Sequence, residues 1–162
     1  METIYKRRSI RKYQTKDVAQ EDVEKILKAG MNAPSAKNNE PWNFIVVQDK
    51  NCLWELSEIK KYALMLKEAP CCIICIAKPN TEFWQQDMGA CMQNMMLEAT
   101  SLGLGTCWLG IKPDGEDEKK IRTRFEIPTD YHVFSLMALG YPNEEKSVNN
   151  KFDVTRIHHE KW

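Results

Sequence analysis

The chain has no net charge, since 23 lysines and arginines balance 23 aspartates and glutamates over 162 residues. No global field therefore draws it to nucleic acid or to a membrane surface. It has no apolar stretch approaching bilayer length, which argues against a membrane-bound protein. Nothing at its amino end resembles a secretory leader, and a cytoplasmic location is the expectation. Internal repeats, low-complexity tracts and linker-like stretches are absent, so residues 1–162 read as one domain, long enough to bury a substantial core. No G-x-G-x-x-G lies between a strand and a helix, because Gly103 and Gly105 follow a helical segment. The adjacent His158 and His159 lack a third partner, and no metal site is expected.

Disulfides are not expected either, although there are six cysteines. Most sit in apolar runs rather than loops. Cys71 to Ala77 reads as a buried strand, whose alternation sends Cys71 and Cys75 to one face and Cys72 to the other. The tight polar turn of a metal-binding C-x-x-C knuckle is missing, which leaves reduced thiols acting as small core hydrophobes.

Periodicity supplies the architecture. Glu21–Met31 carries Val23, Ile26, Leu27 and Gly30 on one helical face. Phe44–Val47 and Val133–Leu139 read as strands, as does Thr106–Ile111 after the Gly103-Leu104-Gly105 turn, while Asp117–Phe125 is a charged helix. The longest helix, Phe83–Leu102, is apolar on most of its circumference and calls for burial on most sides. A second subunit is the simplest cover in so small a domain, and Met92→Asp is expected to separate the subunits. Beyond Gly140 the apolar anchors Phe152, Ile157 and Trp162 suggest a tail laid over a surface. Strands and helices interleave irregularly, so the fold class is α+β.

Charge is uneven despite the neutral total. Residues 5–16 hold Lys6, Arg7, Arg8, Arg11, Lys12 and Lys16 with no acidic residue, and the tail holds Lys146, Lys151, Arg156 and Lys161. These ends can converge on one anion or be solvated surface. Guanidinium groups with the Ser9 hydroxyl suit a phosphate. Pro34 and Pro41 bound a polar loop in which Ser35 and Asn38 are preorganised.

Four segments, in order, resemble the nitroreductase family. They are Arg7-Arg8-Ser9-Ile10-Arg11, Pro34-Ser35-Ala36-Lys37-Asn38-Asn39-Glu40-Pro41-Trp42, Gly103-Leu104-Gly105-Thr106-Cys107-Trp108-Leu109-Gly110 and the ending Lys151-Phe152-Asp153 through Ile157-His158 to Trp162. The resemblance spans the chain. It implies a three-layer α/β/α domain with a mainly antiparallel central sheet, in an obligate homodimer whose C-terminal tail wraps the partner. It implies FMN as cofactor and NAD(P)H as transient co-substrate, reducing nitroaromatics, quinones or similar small acceptors by a ping-pong mechanism. Arg7, Arg8, Ser9, Lys151 and Arg156 would hold the phosphate end. Arg11 would favour reduced flavin at N1/O2. Pro34, Ser35 and Asn38 would touch the ring from the partner, and the Leu109 and Gly110 amides would face N5. No conventional catalytic residue is implied, and neither nucleic acid nor membrane is an expected partner. The chain departs from the pattern in two ways. Glu40 replaces a glutamine, and little chain separates Ile59 from Cys71, leaving no room for a lid. An open site of low selectivity is expected, and the alternative is an FMN-binding or flavin-shuttling protein without turnover.

Overall fold

Hydrophobic alternation and helical stripes build two apolar cores, one on each face of a four-stranded sheet. The computed structural model describes residues 2–148 and 151–162. In chain order the elements are α1 (Glu2–Lys6), α2 (Gln20–Met31), β1 (Trp42–Val47), α3 (Lys50–Ile59), β2 (Cys71–Ala77), α4 (Trp84–Ser101), β3 (Gly105–Gly110), α5 (Glu116–Arg124) and β4 (His132–Gly140), with short 3-10 turns at Ala36–Asn38, Leu64–Lys67 and Val154–Arg156.

The sheet order is β1-β2-β4-β3 and every pairing is antiparallel. Buried β2 and β4 occupy the centre, while β1 and β3 are edges. The sheet face carrying Cys71, Ile73 and Cys75 packs against Val23 and Ile26 of α2 and Met88, Cys91, Met92 and Met95 of α4. The opposite face, with Cys72, Ile74 and Ile76, meets Leu53 and Leu56 of α3 and Ile121 of α5. This is the α+β arrangement expected from the sequence, with the cysteines of β2 divided between faces as their spacing requires. All six cysteines are free thiols. Burial pushes Cys71 and Cys91 up to about 12, so these sulfurs behave as core hydrophobes rather than nucleophiles.

Helix α4 corrects one expectation. Its apolar residues Met88, Cys91, Met92, Met95, Met96 and Ala99 are covered within the chain, by α2 on one side and the sheet on the other, and Met92 is fully buried. The α2 contact is close, because a Cβ at Gly30 would lie 2.6 Å from Met95 Cγ. The wide apolar circumference thus gives no warrant for a second subunit. Met92→Asp would bury a charge in the core of one chain and unfold it. What α4 leaves half-exposed is a stripe that includes Gly89, Gln93 and Leu97. Several anchors of the tail are exposed: Val154 is 67% exposed and Trp162 fully so. Within it His158 stacks on the Trp162 ring at 4.2 Å. Among the described residues no helix is long and apolar enough to cross a membrane.

Candidate functional site

The basic segment after α1 is fastened to the β3 edge. Ser9 pairs with Thr106 in a parallel bridge, and Ile10 N–H donates to the Thr106 carbonyl at 2.9 Å. Ile10 fits because residue 105 is glycine: a Cβ there would stand 2.6–3.0 Å from three Ile10 carbons. Buried Tyr13 donates its hydroxyl to the Ile10 carbonyl at 2.7 Å. Further along, Gln14 N–H donates to Tyr141 and Asn143 N–H to Lys12, which ties the segment to the chain leaving β4. Glu144 completes the fastening, accepting from the Arg11 amide at 2.6 Å and from Lys146 Nζ at 3.1 Å. Chiefly the Arg11 amide, and then Lys146, holds its carboxyl below the usual range.

This fastening gathers Arg7, Arg8, Ser9, Arg11, Lys146 and Lys151 around one cavity of about 220 Å³. Among the described residues no carboxylate pairs with the side chain of Arg7, Arg8, Arg11 or Lys151. One guanidinium nitrogen of Arg8 is buried with no hydrogen-bond partner. A buried donor left unpaired costs about 1–3 kcal/mol, and four uncompensated cations around a small cavity call for an anion. The residues therefore fit a phosphate. Lys146 was missed as a site residue in the sequence because only the Glu144 clasp brings it here. Arg156 does not join the cluster: it pairs with Asp153 at 3.1 Å in the tail.

The edge of β3 runs on from this cavity. Ile111 N–H donates to Phe134 O and the Thr106 carbonyl faces outward. By the alternation of an antiparallel ladder, the Leu109 amide turns toward β4 whereas those of Trp108 and Gly110 face the open side. The two expected N–H groups are thus distinguished, and Gly110 is the accessible one. From Thr106 to Gly110 the edge spans roughly 13 Å.

The Pro34–Asn38 loop lies elsewhere. Three non-glycine residues in it and just beyond it adopt left-handed backbone: Lys37 (φ 55°), Asn38 (φ 54°) and Glu40 (φ 45°). Such conformations persist only when surrounding contacts hold them. Here Ser35 Oγ accepts from Glu40 N–H at 3.0 Å, Asn38 Nδ2 donates to Glu40 Oε1 at 3.2 Å, and buried Asp87 accepts from Ala36 N–H at 3.0 Å. Glu40 therefore braces Asn38, and it forms no salt bridge among the described residues. The loop enters β1 in the row Trp42–Ala77–His132, while the cationic segment meets β3 in the row Thr106–Leu139–Cys71. The two are separated by roughly 23 Å along the strands and 14 Å across them. One chain thus presents two half-sites at diagonal corners of its sheet.

One cluster of metal-ligating types occurs among the described residues, formed by Asp114, Glu118 and His132. Both Glu118 oxygens already accept backbone N–H groups, from Val133 at 2.7 Å and Asp114 at 2.5 Å. The cluster is a clasp between α5 and β4.

Comparison with known proteins bears on the family and the fold. The sequence profile of the Nitroreductase family matches residues 4–64 and 55–141. A protein of Archaeoglobus fulgidus provisionally named NADH dehydrogenase/NAD(P)H nitroreductase is 43% identical, with 100% of this chain and 98% of that protein covered. A crystal structure from Clostridium acetobutylicum, described provisionally as an NADH oxidase, superposes with TM-score 0.94 at 42% identity over 99% of each chain. The FMN-dependent nitroreductase of Clostridium difficile R20291 superposes with TM-score 0.92 at 36% identity over 99% of this chain and 98% of that one. By profile, full-length identity and fold, the chain belongs to the Nitroreductase family.

Proposed function

We propose that this family member is an FMN-dependent oxidoreductase that takes reducing equivalents from NAD(P)H and passes them to small acceptors such as quinones or nitroaromatics, by ping-pong and as a homodimer. The carrying observation is the cavity of unpaired cations with a buried, partnerless Arg8 nitrogen at the start of an open strand edge. When bound, FMN supplies the redox chemistry itself. The chain supplies position and charge. Arg7, Arg8, Ser9, Lys146 and Lys151 would hold the phosphate, and the β3 edge from Thr106 to Gly110 would receive the ribityl chain and ring. Arg11, which lines the cationic cavity on the segment fastened to Thr106, would be the cation that favours negative charge at N1/O2. The outward Gly110 amide would face N5. Donor and acceptor use the same open space in turn, which is what makes the order ping-pong.

The diagonal separation of the half-sites supports a dimer. A cofactor seated at the Arg7 end cannot reach the Pro34–Asn38 loop of its own chain, so Pro34, Ser35 and Asn38 would come from a second copy. Exposed Val154, Ile157 and Trp162 would then gain cover from that copy as the tail wraps it. Half-exposed Leu97 on α4 is the residue with which to probe the interface. Leu97→Asp is expected to yield folded monomer with weakened FMN retention, read by sedimentation and visible absorbance. A dimer that persists unchanged removes α4 from the interface. Free thiols throughout support a reducing compartment such as the cytoplasm.

The first experiment is the visible spectrum of the purified protein, with the released chromophore identified by mass. A flavin spectrum releasing FMN supports the reading, and a colourless protein that takes up no added FMN overturns it. Arg7→Ala is expected to weaken FMN binding by about 1.5–3 kcal/mol, the range for a hydrogen bond to a charged group. Unchanged affinity in fluorescence titration would take Arg7 out of the phosphate site. Steady NAD(P)H oxidation with a quinone separates turnover from mere FMN binding.

A further inference from the structure

At the end of the β3 edge away from the cationic cavity stands a lysine, Lys60. Lys60 follows α3 directly, and its ammonium donates to the outward carbonyl of Gly110. A lysine ammonium carries three donors, so this contact fixes the charge in place and leaves the others to a ligand. Among the described residues no carboxylate pairs with Lys60, with neighbouring Lys61, or with Lys112 two residues beyond Gly110. The space beside Gly110 is open, since a Cβ built there would meet nothing within 4 Å. The connection that carries Lys60 also carries Tyr62, which is 68% exposed. A fixed, unneutralised cation thus borders unobstructed backbone, with an exposed aromatic side chain two residues on.

We propose that Lys60 is a specificity-determining residue that selects small anionic aromatic acceptors, carboxylates or sulfonates, at the Gly110 end of the β3 edge. The inference rests on the reading of that edge as the flavin site. A chain too short for a lid has little shape with which to discriminate, and a fixed charge discriminates by sign instead. The open site is therefore selective for charge while remaining tolerant of size.

The test compares 4-nitrobenzoate with its neutral analogue 4-nitrobenzamide, both titrated into the FMN-loaded protein without reductant and followed by perturbation of the flavin absorbance. FMN affinity is measured first for each variant. The native protein should bind the carboxylate at least tenfold more tightly than the amide at low salt, and added salt should shrink the difference as an exposed charge is screened. Lys60→Gln should bring the two ligands to near-equal affinity, and Lys60→Arg should keep the preference. An unchanged ratio in Lys60→Gln overturns the proposal. So does a variant that weakens FMN itself while leaving the ratio intact, since Lys60 would then serve the cofactor. A native protein that takes up no FMN overturns the site reading at the preliminary step, and the role of Lys60 falls with it.

Discussion

Glu118→Ala is expected to lower the free energy of unfolding by about 1.5–3 kcal/mol, the range for losing a hydrogen bond to a charged group. Glu118 is fully buried, and its carboxylate is fully used. One oxygen accepts from Val133 N–H at 2.7 Å and lies 3.0 Å from His132 Nδ1, while the other accepts from Asp114 N–H at 2.5 Å. It joins the first turn of α5, the start of β4 and the turn that follows Gly110, three pieces that no apolar side chain could tie. Alanine would strand the buried Val133 N–H without an acceptor. Against a typical total of about 5–15 kcal/mol, the loss is a large fraction of the whole. Urea unfolding followed by tryptophan fluorescence reads it directly. A shift below about 1 kcal/mol, ordinary for a surface position, would show that the clasp is dispensable. Glu118→Gln should fall between, because its amide nitrogen would turn a donor toward another donor.

Gly105→Val carries the second large effect, and it reaches the cofactor. The carbons that a Cβ would meet are Ile10 Cβ and both its γ carbons, the root of the side chain rather than a free end. Ile10 therefore cannot swing aside, and the strand segment bearing it must lift. Overpacking of this kind costs about 1–3 kcal/mol. Ile10 lies between Ser9 and Arg11, so the lift carries the guanidinium groups away from their cavity. FMN affinity is expected to fall tenfold or more, at least about 1.4 kcal/mol, in a protein that still folds. If equilibrium titration gives native affinity for a folded Gly105→Val protein, the cations are not positioned by this contact.

Much of the scaffold was legible because its signals are local. The division of Cys71 and Cys75 from Cys72 follows from strand alternation, and the α2 stripe from helical period, so both appear where the spacing put them. The cationic segment was legible too, through residue types concentrated within a few positions. The rest depended on contacts distant in sequence. Glu118 sits in a helix so rich in charge that it reads as solvated, and only the return of β4 buries it. Lys146 and Lys60 are single lysines whose meaning comes from Glu144 and Gly110. The apolar girth of α4 was visible, but whether α2 or another subunit would cover it was not, because a periodicity does not say whose surface answers it.

The outer side of β3 bears on solubility as much as on ligands. A bare sheet edge is a template on which a stray strand can grow, and natural sheets blunt such edges with charge, brevity or cover. At one end of β3 the outward carbonyl of Thr106 is occupied by the Ile10 amide, and at the other the Gly110 carbonyl is occupied by a lysine whose charge repels like neighbours. Only a few outward groups around Trp108 and Gly110 stay open between them, too few to seed a ladder. The fixtures at the two ends of this edge thereby also keep the chain from adding to itself.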